Sequence, residues 1–303
     1  MQTSKFLLYC YFNLKTENNS IFILLLFIYN YVVNKPRMKE KLLIIILILN
    51  INLIFSQQVF KNYGERETIE ILDTELLKLV CINSKFKYEN IYLDESYSKE
   101  YSEKFTFFSI RHITEKTELE NYYTTTFLLV DRSGKILSKL KNNDLSYFDN
   151  EAGQPYPTKI LKKSFPLNET LNGIAVTTEF SSPSRVTLYS EELLNIIKIE
   201  NNSIKVILKN YPIRKTQGES NGLANFEIEI IESSFFLEKE KSNNLYNLKI
   251  IQNFEFEENI EKDSSKNIKA SNKKKEAKEI EIIKYNGEKY DFKQIEYKFL
   301  KGY

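Results

Sequence analysis

Past residue 100 the chain keeps alternating apolar with polar residues, and a period of two is the repeat of a strand with one buried face. Over 225–230, Phe226, Ile228 and Ile230 share one side while Glu227 and Glu229 take the other. Over 246–256, Tyr246, Leu248, Ile250, Phe254 and Phe256 fall together. Further strands are predicted over 104–113, 173–180, 185–189 and 235–239. Turn-forming residues join neighbouring strands. Asp131 to Gly134 links 122–130 with 135–140, and Asn201 to Ser203 links 194–200 with 204–210. Asn286-Gly287 links 279–285 with 288–299, because Asn-Gly supplies the positive φ angles of a type I′ turn. The expected fold is mainly β: an antiparallel meander arranged as a sandwich, an open barrel or a propeller-like array.

One short helix is predicted near the start of this domain, within 67–82, where Ile69, Leu72, Leu76 and Leu79 recur at three- and four-residue steps. Two segments interrupt the meander. Leu145 to Pro157 combines turn formers with acids and marks a soft internal boundary. Asn259 to Lys278 is charged and contains Lys273, Lys274 and Lys275 among several glutamates, which predicts a long solvated loop.

The N-terminus reads differently. Two apolar stretches, Ile21–Val33 and Leu42–Phe55, are each shorter than the about 20 residues a membrane-spanning helix needs. The second has the three parts of a secretory signal: basic Lys39 and Lys41, the apolar run, and the small residue Ser56 before Gln57. Met38 stands directly before it. The expected organisation is therefore an upstream or mis-assigned start over 1–37, a signal peptide over 38–56 cleaved between Ser56 and Gln57, and one β-rich domain over 57–303. The competing expectation is an uncleaved N-terminal segment that anchors the protein in a membrane.

Composition narrows the function. Lys+Arg number 43 against Asp+Glu 41, so no basic field for nucleic acid is expected. The 8 glycines include no phosphate-cradling loop, which argues against a nucleotide, and 1 His with 2 Cys leaves too few ligands for an ordinary zinc site. No cofactor or metal is expected. Cys81 lies among Leu76, Leu77, Leu79 and Val80 and reads as a buried apolar residue.

Catalytic candidates are few. His112 is the one imidazole, on the strand face of Phe108 and Ile110. Ser220 is the centre of Gly218-Glu-Ser-Asn-Gly222, which has the letters of a nucleophile elbow but stands between strands instead of between strand and helix. Asp149 and Glu151 are the carboxylate pair to inspect for a hydrolase, and with Asp144 and Asn150 they offer oxygen ligands without the spacing of a calcium loop. Tyr122, Tyr123, Tyr147 and Tyr156 are the aromatic residues a sugar or peptide would stack on. The expectation is an exported protein of binding or structural type, periplasmic, at the cell surface or extracellular, whose partner is an envelope or extracellular polymer or protein. Two alternatives stand beside it. One is a secreted hydrolase; the other is an outer-membrane β-barrel, for which Tyr297, Phe299 and Tyr303 fit the C-terminal pattern and Lys301 does not.

Overall fold

The described residues carry thirteen strands and one α-helix, in a computed structural model that describes residues 58–60, 66–84, 86–116, 121–142, 157–182, 184–221, 224–261 and 270–300. They all fall within the unit Gln57–Tyr303. The segment expected as a signal peptide, with Ser56 and Gln57, and most of the soft boundary at 145–157 lie outside the described residues. No described helix is long and apolar enough to cross a membrane.

The strands are β1 (Gln58–Phe60), β2 (Tyr97–Ser102), β3 (Phe105–Lys116), β4 (Asn121–Asp131), β5 (Ile136–Asn142), β6 (Lys159–Ile160) and β7 (Phe165–Pro166). They continue as β8 (Asn172–Ser181), β9 (Thr187–Glu200), β10 (Ser203–Ser220), β11 (Phe226–Ser242), β12 (Leu245–Ile260) and β13 (Ser271–Ile283). The helix α1 is Thr74–Ile82. Every pairing is antiparallel. A four-stranded sheet runs β2-β3-β4-β5, and a nine-stranded sheet runs β13-β12-β11-β10-β9-β8-β6, with β1 on β11 and β7 on β8.

Asparagine makes the long hairpins. Asn201 and Asn202 adopt φ of 50° and 59° between β9 and β10, and Asn243 and Asn244 adopt 48° and 67° between β11 and β12. Both central residues of a type I′ turn need positive φ, which asparagine tolerates better than other side chains.

The four-stranded sheet is covered on both faces. Phe107, Phe127 and Leu129 pack with Ile160, Ile174, Val176 and Ile197 of the larger sheet, with the Phe107 and Phe127 rings stacked at 5.5 Å. Phe108, Ile110, Leu128 and Val130 point the other way, under Leu76, Leu77 and Val80 of α1. The β4–β5 turn meets the helix closely. Gly134, at φ +84°, would bring a Cβ to 2.6 Å from the Leu79 Cβ. Only glycine meets both demands there.

The helix is shorter than predicted. Residues 66–71 are extended, and α1 begins where the Asp73 carboxylate accepts the Leu76 N–H at 2.9 Å. Its buried face is Leu76, Leu77 and Val80, whereas Leu79 is 41% exposed. Cys81 is half-buried against that cluster, and burial pushes its thiol pKa up.

The charged segment 259–278 is corrected in its second part. Ser271 to Lys278 belongs to β13, because Lys273 and Lys274 lie opposite Glu258 and Glu257 of β12 and pair with them at 2.8 and 3.1 Å. The C-terminal arm is corrected too. Tyr285 bridges Tyr290 around four residues of which only Gly287 takes positive φ, +107°, so the two-residue type I′ turn does not form, and 291–300 form no strand. They lie as a strap over the large sheet, with Phe292 on Tyr211 at 4.7 Å and Phe299 on Phe256 at 6.0 Å. Glu229, fully buried in β11, accepts the N–H groups of Lys298, Phe299 and Leu300 at 2.8, 2.8 and 2.9 Å.

Replacing Glu229 with Ala leaves three main-chain donors without their acceptor, each a loss of about 1 to 3 kcal/mol when buried. Urea unfolding of Glu229→Ala is expected to lose at least about 3 kcal/mol, with hydrogen exchange accelerated first at 298–300. A loss below 1 kcal/mol, or unchanged exchange there, would contradict this account of the strap.

Candidate functional site

The extended segment 66–71 bridges the two sheets. The Ile69 N–H donates to Ile160 O at 2.7 Å, the Lys162 N–H to Glu67 O at 2.9 Å, and the Ser98 N–H to Ile71 O at 2.9 Å. A groove of about 1480 Å³ runs beside it, walled also by α1 and the β2–β3 hairpin. Two apolar side chains stand open in it: Ile71, 73% exposed, and Leu79. Charged pairs edge it, with Lys162 on Glu67 at 3.1 Å and Arg132 on Glu100 at 3.5 Å. Exposed pairs of this kind contribute little stability and leave the rim polar. Lys99 differs. Its ammonium donates to the main-chain oxygens of Leu161 and Lys162, both at 3.0 Å, and burial pushes its pKa below the ordinary lysine value.

A smaller cleft of about 410 Å³ shares Arg66 and Thr68 with the groove. Among its lining residues Glu179 of β8 lies opposite Glu192 of β9, in a cross-strand row that continues from Glu192 to Arg214 of β10 and from Arg214 to Glu232 of β11. Arg66 reaches in from the N-terminal segment and bonds Glu192 at 2.9 Å, with 5% and 12% of the two side chains exposed. Burial raises the Glu192 pKa, the Arg66 guanidinium pulls it down, and the Glu179 charge adds to the rise. Glu232 is likewise raised by burial and opposed by Arg214, 3.8 Å away. A carboxyl raised by burial in a cleft is what a general acid needs. Here the same carboxyl also holds the N-terminal segment against the sheet.

The residues singled out by sequence are dispersed. His112 lies on β3, its Nε2 at 3.0 Å from Thr126 Oγ1 and its ring edge-on to Phe86 at 5.2 Å. Burial lowers its pKa from the ordinary imidazole value. Ser220 is the last residue of β10, on the other sheet, where its N–H donates to Val186 O at 2.8 Å. The chain continues from there into β11, so the strand-to-helix geometry of a nucleophile elbow is missing at Ser220. The phenol oxygens of Tyr123 and Tyr92 are 2.7 Å apart, and the Arg111 guanidinium stands 5.0 Å from the Tyr123 ring centre. Tyr122 lies in β4 opposite Glu115. Tyr147, Tyr156, Asp149 and Glu151 lie outside the described residues. Among the described residues no group of three or more His, Cys, Asp or Glu side chains is placed to hold a metal ion.

Sequence reasoning missed Arg66, Lys99, Glu179 and Glu192. A signal existed for one of them, since Glu191 and Glu192 precede the apolar run Leu193, Leu194, Ile196 and Ile197 on one strand. Arg66 and Lys99 carry no pattern of their own, and Arg66 meets Glu192 across 126 residues.

Removing one member of a buried ion pair leaves the other charge uncompensated, at about 3 to 5 kcal/mol. Arg66→Ala is expected to lose about that much at pH 7 in a urea titration. The folded Glu192 pKa lies above its unfolded value of 4.5. Its stabilising contribution is therefore complete below 4.5 and fades as pH rises through the folded value. The Arg66→Ala deficit should accordingly shrink toward pH 4.5, and the added variant Glu192→Gln should recover much of it at pH 7. A deficit independent of pH would assign the loss to Arg66 packing instead.

The chain matches no protein-family model, no curated protein and no solved structure.

Proposed function

We propose that the protein is an exported, β-rich binding protein of the envelope or extracellular space, whose ligand lies in the groove beside 66–71. The observation that carries the reading is the groove itself. It exposes Ile71 and Leu79 between charged edges, and its segment 66–71 is held to both sheets through main-chain hydrogen bonds. Apolar side chains left open within a polar rim, on a rigid frame, are the usual composition of a binding surface. Export is read from the segment Lys39 to Ser56, and membrane anchorage through the same segment is the alternative. Among the architectures open to the chain we favour a sandwich-like packing, supported by the cluster that Phe107, Phe127 and Leu129 share with Ile174, Val176 and Ile197.

A second reading has one observation in its favour. Glu179 and Glu192 are a cross-strand carboxylate pair in a cleft, with the Glu192 pKa raised, which is the equipment of a hydrolase.

One set of measurements tests both. The protein purified from its host is expected to be soluble and to begin at Gln57. A product embedded in membrane and still carrying Leu42 to Phe55 would overturn the export reading. Immobilised wild-type protein is expected to retain material from the envelope fraction or the medium, and Ile71→Glu/Leu79→Glu to retain at least about tenfold less at unchanged melting temperature. Equal retention would overturn the groove as the binding site. Under the second reading the retained polymer shortens on incubation, and Glu192→Gln stops the shortening.

A further inference from the structure

The two edges of the large sheet differ. One is β6, a strand of 2 residues, and the other is β13, of 13 residues from Ser271 to Ile283. The register of β13 against β12 is unbroken from Ser271 opposite Ile260 to Ile283 opposite Leu248. Neither a bulge nor a proline turns this edge aside. No described residue hydrogen-bonds the main-chain N–H and C=O groups that β13 directs away from β12. A long open edge of this kind is a template for one more strand.

The order of charges decides which strand. Lys273, Lys274 and Lys275 stand in the first half of β13, Glu279 and Glu281 in the second, and Glu276 and Lys278 on either side of Ala277. Charges on an edge strand usually keep partners away. An antiparallel second copy centred on Ala277 reverses that effect. Lys273 falls opposite Glu281, Lys275 opposite Glu279, and Glu276 opposite Lys278, while Lys274 meets Ile280. No like charges stand directly opposite, and the two-fold axis repeats each pair. Slipping the register by one residue sets Lys275 against Lys278 or Glu276 against Glu279. Slipping it by two sets Lys278 or Glu276 against its own counterpart. Parallel in-register pairing does the same to every charge.

The face of β13 away from the strap supplies a second, independent observation. The strap side is marked by Glu279, which pairs with Lys298 at 2.7 Å, and by Glu281, which accepts the Lys293 N–H at 3.3 Å. Glu276, Lys278, Ile280 and Ile282 alternate with these and lie on the other face. There Glu276 stands opposite Glu255 of β12, a like-charge pair, and neither acid has an ion pair among the described residues. Ile280 and Ile282 are 57% and 53% exposed. A second copy brings its Lys278 beside Glu276 and lays the aliphatic stem of its Lys274 over Ile280.

We propose that the protein forms a two-fold dimer in which β13 of each copy pairs antiparallel with β13 of the other around Ala277, joining the two large sheets into one. The contact uses up both edges, so assembly stops at two.

Sedimentation velocity of the purified protein over a range of concentrations, with hydrogen exchange in parallel, tests this. A monomer–dimer equilibrium is expected, with exchange over 271–283 slowing as the dimer fills. Glu276→Lys and Lys278→Glu break no described ion pair within the chain. Each is expected to weaken the dimer at least about tenfold, because like charges then meet across the axis. Mixed with each other, the two variants are expected to associate at least as well as wild type, since each then faces the opposite charge. That recovery separates strand pairing from a loss of folding. A monomer at every concentration would overturn the proposal. A dimer that both single variants leave intact would place the contact on another surface, and variants that stay apart when mixed would overturn the Ala277 register. Assemblies larger than two would overturn the closed two-fold contact.

Discussion

The structure depends on one constraint: β10 cannot keep both of its neighbours along its 18 residues. It pairs with β9 from Ser203 to Glu219, but with β11 only from Arg214 to Ser220. Before Arg214 on β10, and past Glu232 on β11, the two strands part. β11 then takes β1 beside Phe235 and Phe236. Breaks in register within Val206–Arg214, with Asn210 at φ +50° and Pro212 in the same stretch, let β10 bend away. The wedge this opens is filled by Ile207, Tyr211, Phe235, Leu237 and Leu248. Tyr211 is the largest of them, and its hydroxyl is satisfied inside the core by Gln252 at 3.0 Å. Burial pushes that phenol pKa up to about 12, so it stays neutral at any physiological pH.

The segment that begins at Arg66 and the C-terminal strap are each fixed to this sheet by a buried carboxylate, in two different ways. Glu192 holds the N-terminal segment through the Arg66 guanidinium, a charge paired with a charge. Glu229 holds the C-terminal strap through main-chain N–H groups, with no opposite charge required. Glu229 and Glu232 lie three residues apart on β11, so they point to opposite faces, and Glu232 shares the cross-strand row of Glu192. The sheet is thus clasped from both sides. The groove depends on the first clasp, since Arg66 and the segment that follows it form one of its walls.

Much of the strand order was legible because it follows from local chemistry. Alternation located β3, β4, β8, β11 and β12, and Asn201-Asn202 marked its turn. Asn243-Asn244 is the same dipeptide making the same turn, and Phe226–Ser242 is one strand where two were expected. The failures share a cause in tertiary context. Ser271 to Lys278 has no apolar periodicity, and its pairing becomes visible only beside Glu257 and Glu258. Residues 288–299 do alternate, yet the Glu229 carboxylate draws their end into a bend. In α1 the recurring leucines set the period, but Gly134 beneath Leu79 shows that contacts with the β4–β5 turn chose the face. For the candidate site, spacing pointed to Ser220 and His112, which fold onto different sheets. Arg66, Lys99 and Glu192 come together only through long-range pairing, where no short motif exists to be read.

The Glu229 clasp also sets an order of events. Its donors lie 69 to 71 residues further along the chain than the acid they satisfy. When the polypeptide emerges N-terminus first, β11 is made while the groups that satisfy its central acid are still to come. The last turn of the lock is delivered only with residue 300. The strap is thus the last described piece of chain to be made and the one that satisfies an acid laid down some seventy residues earlier.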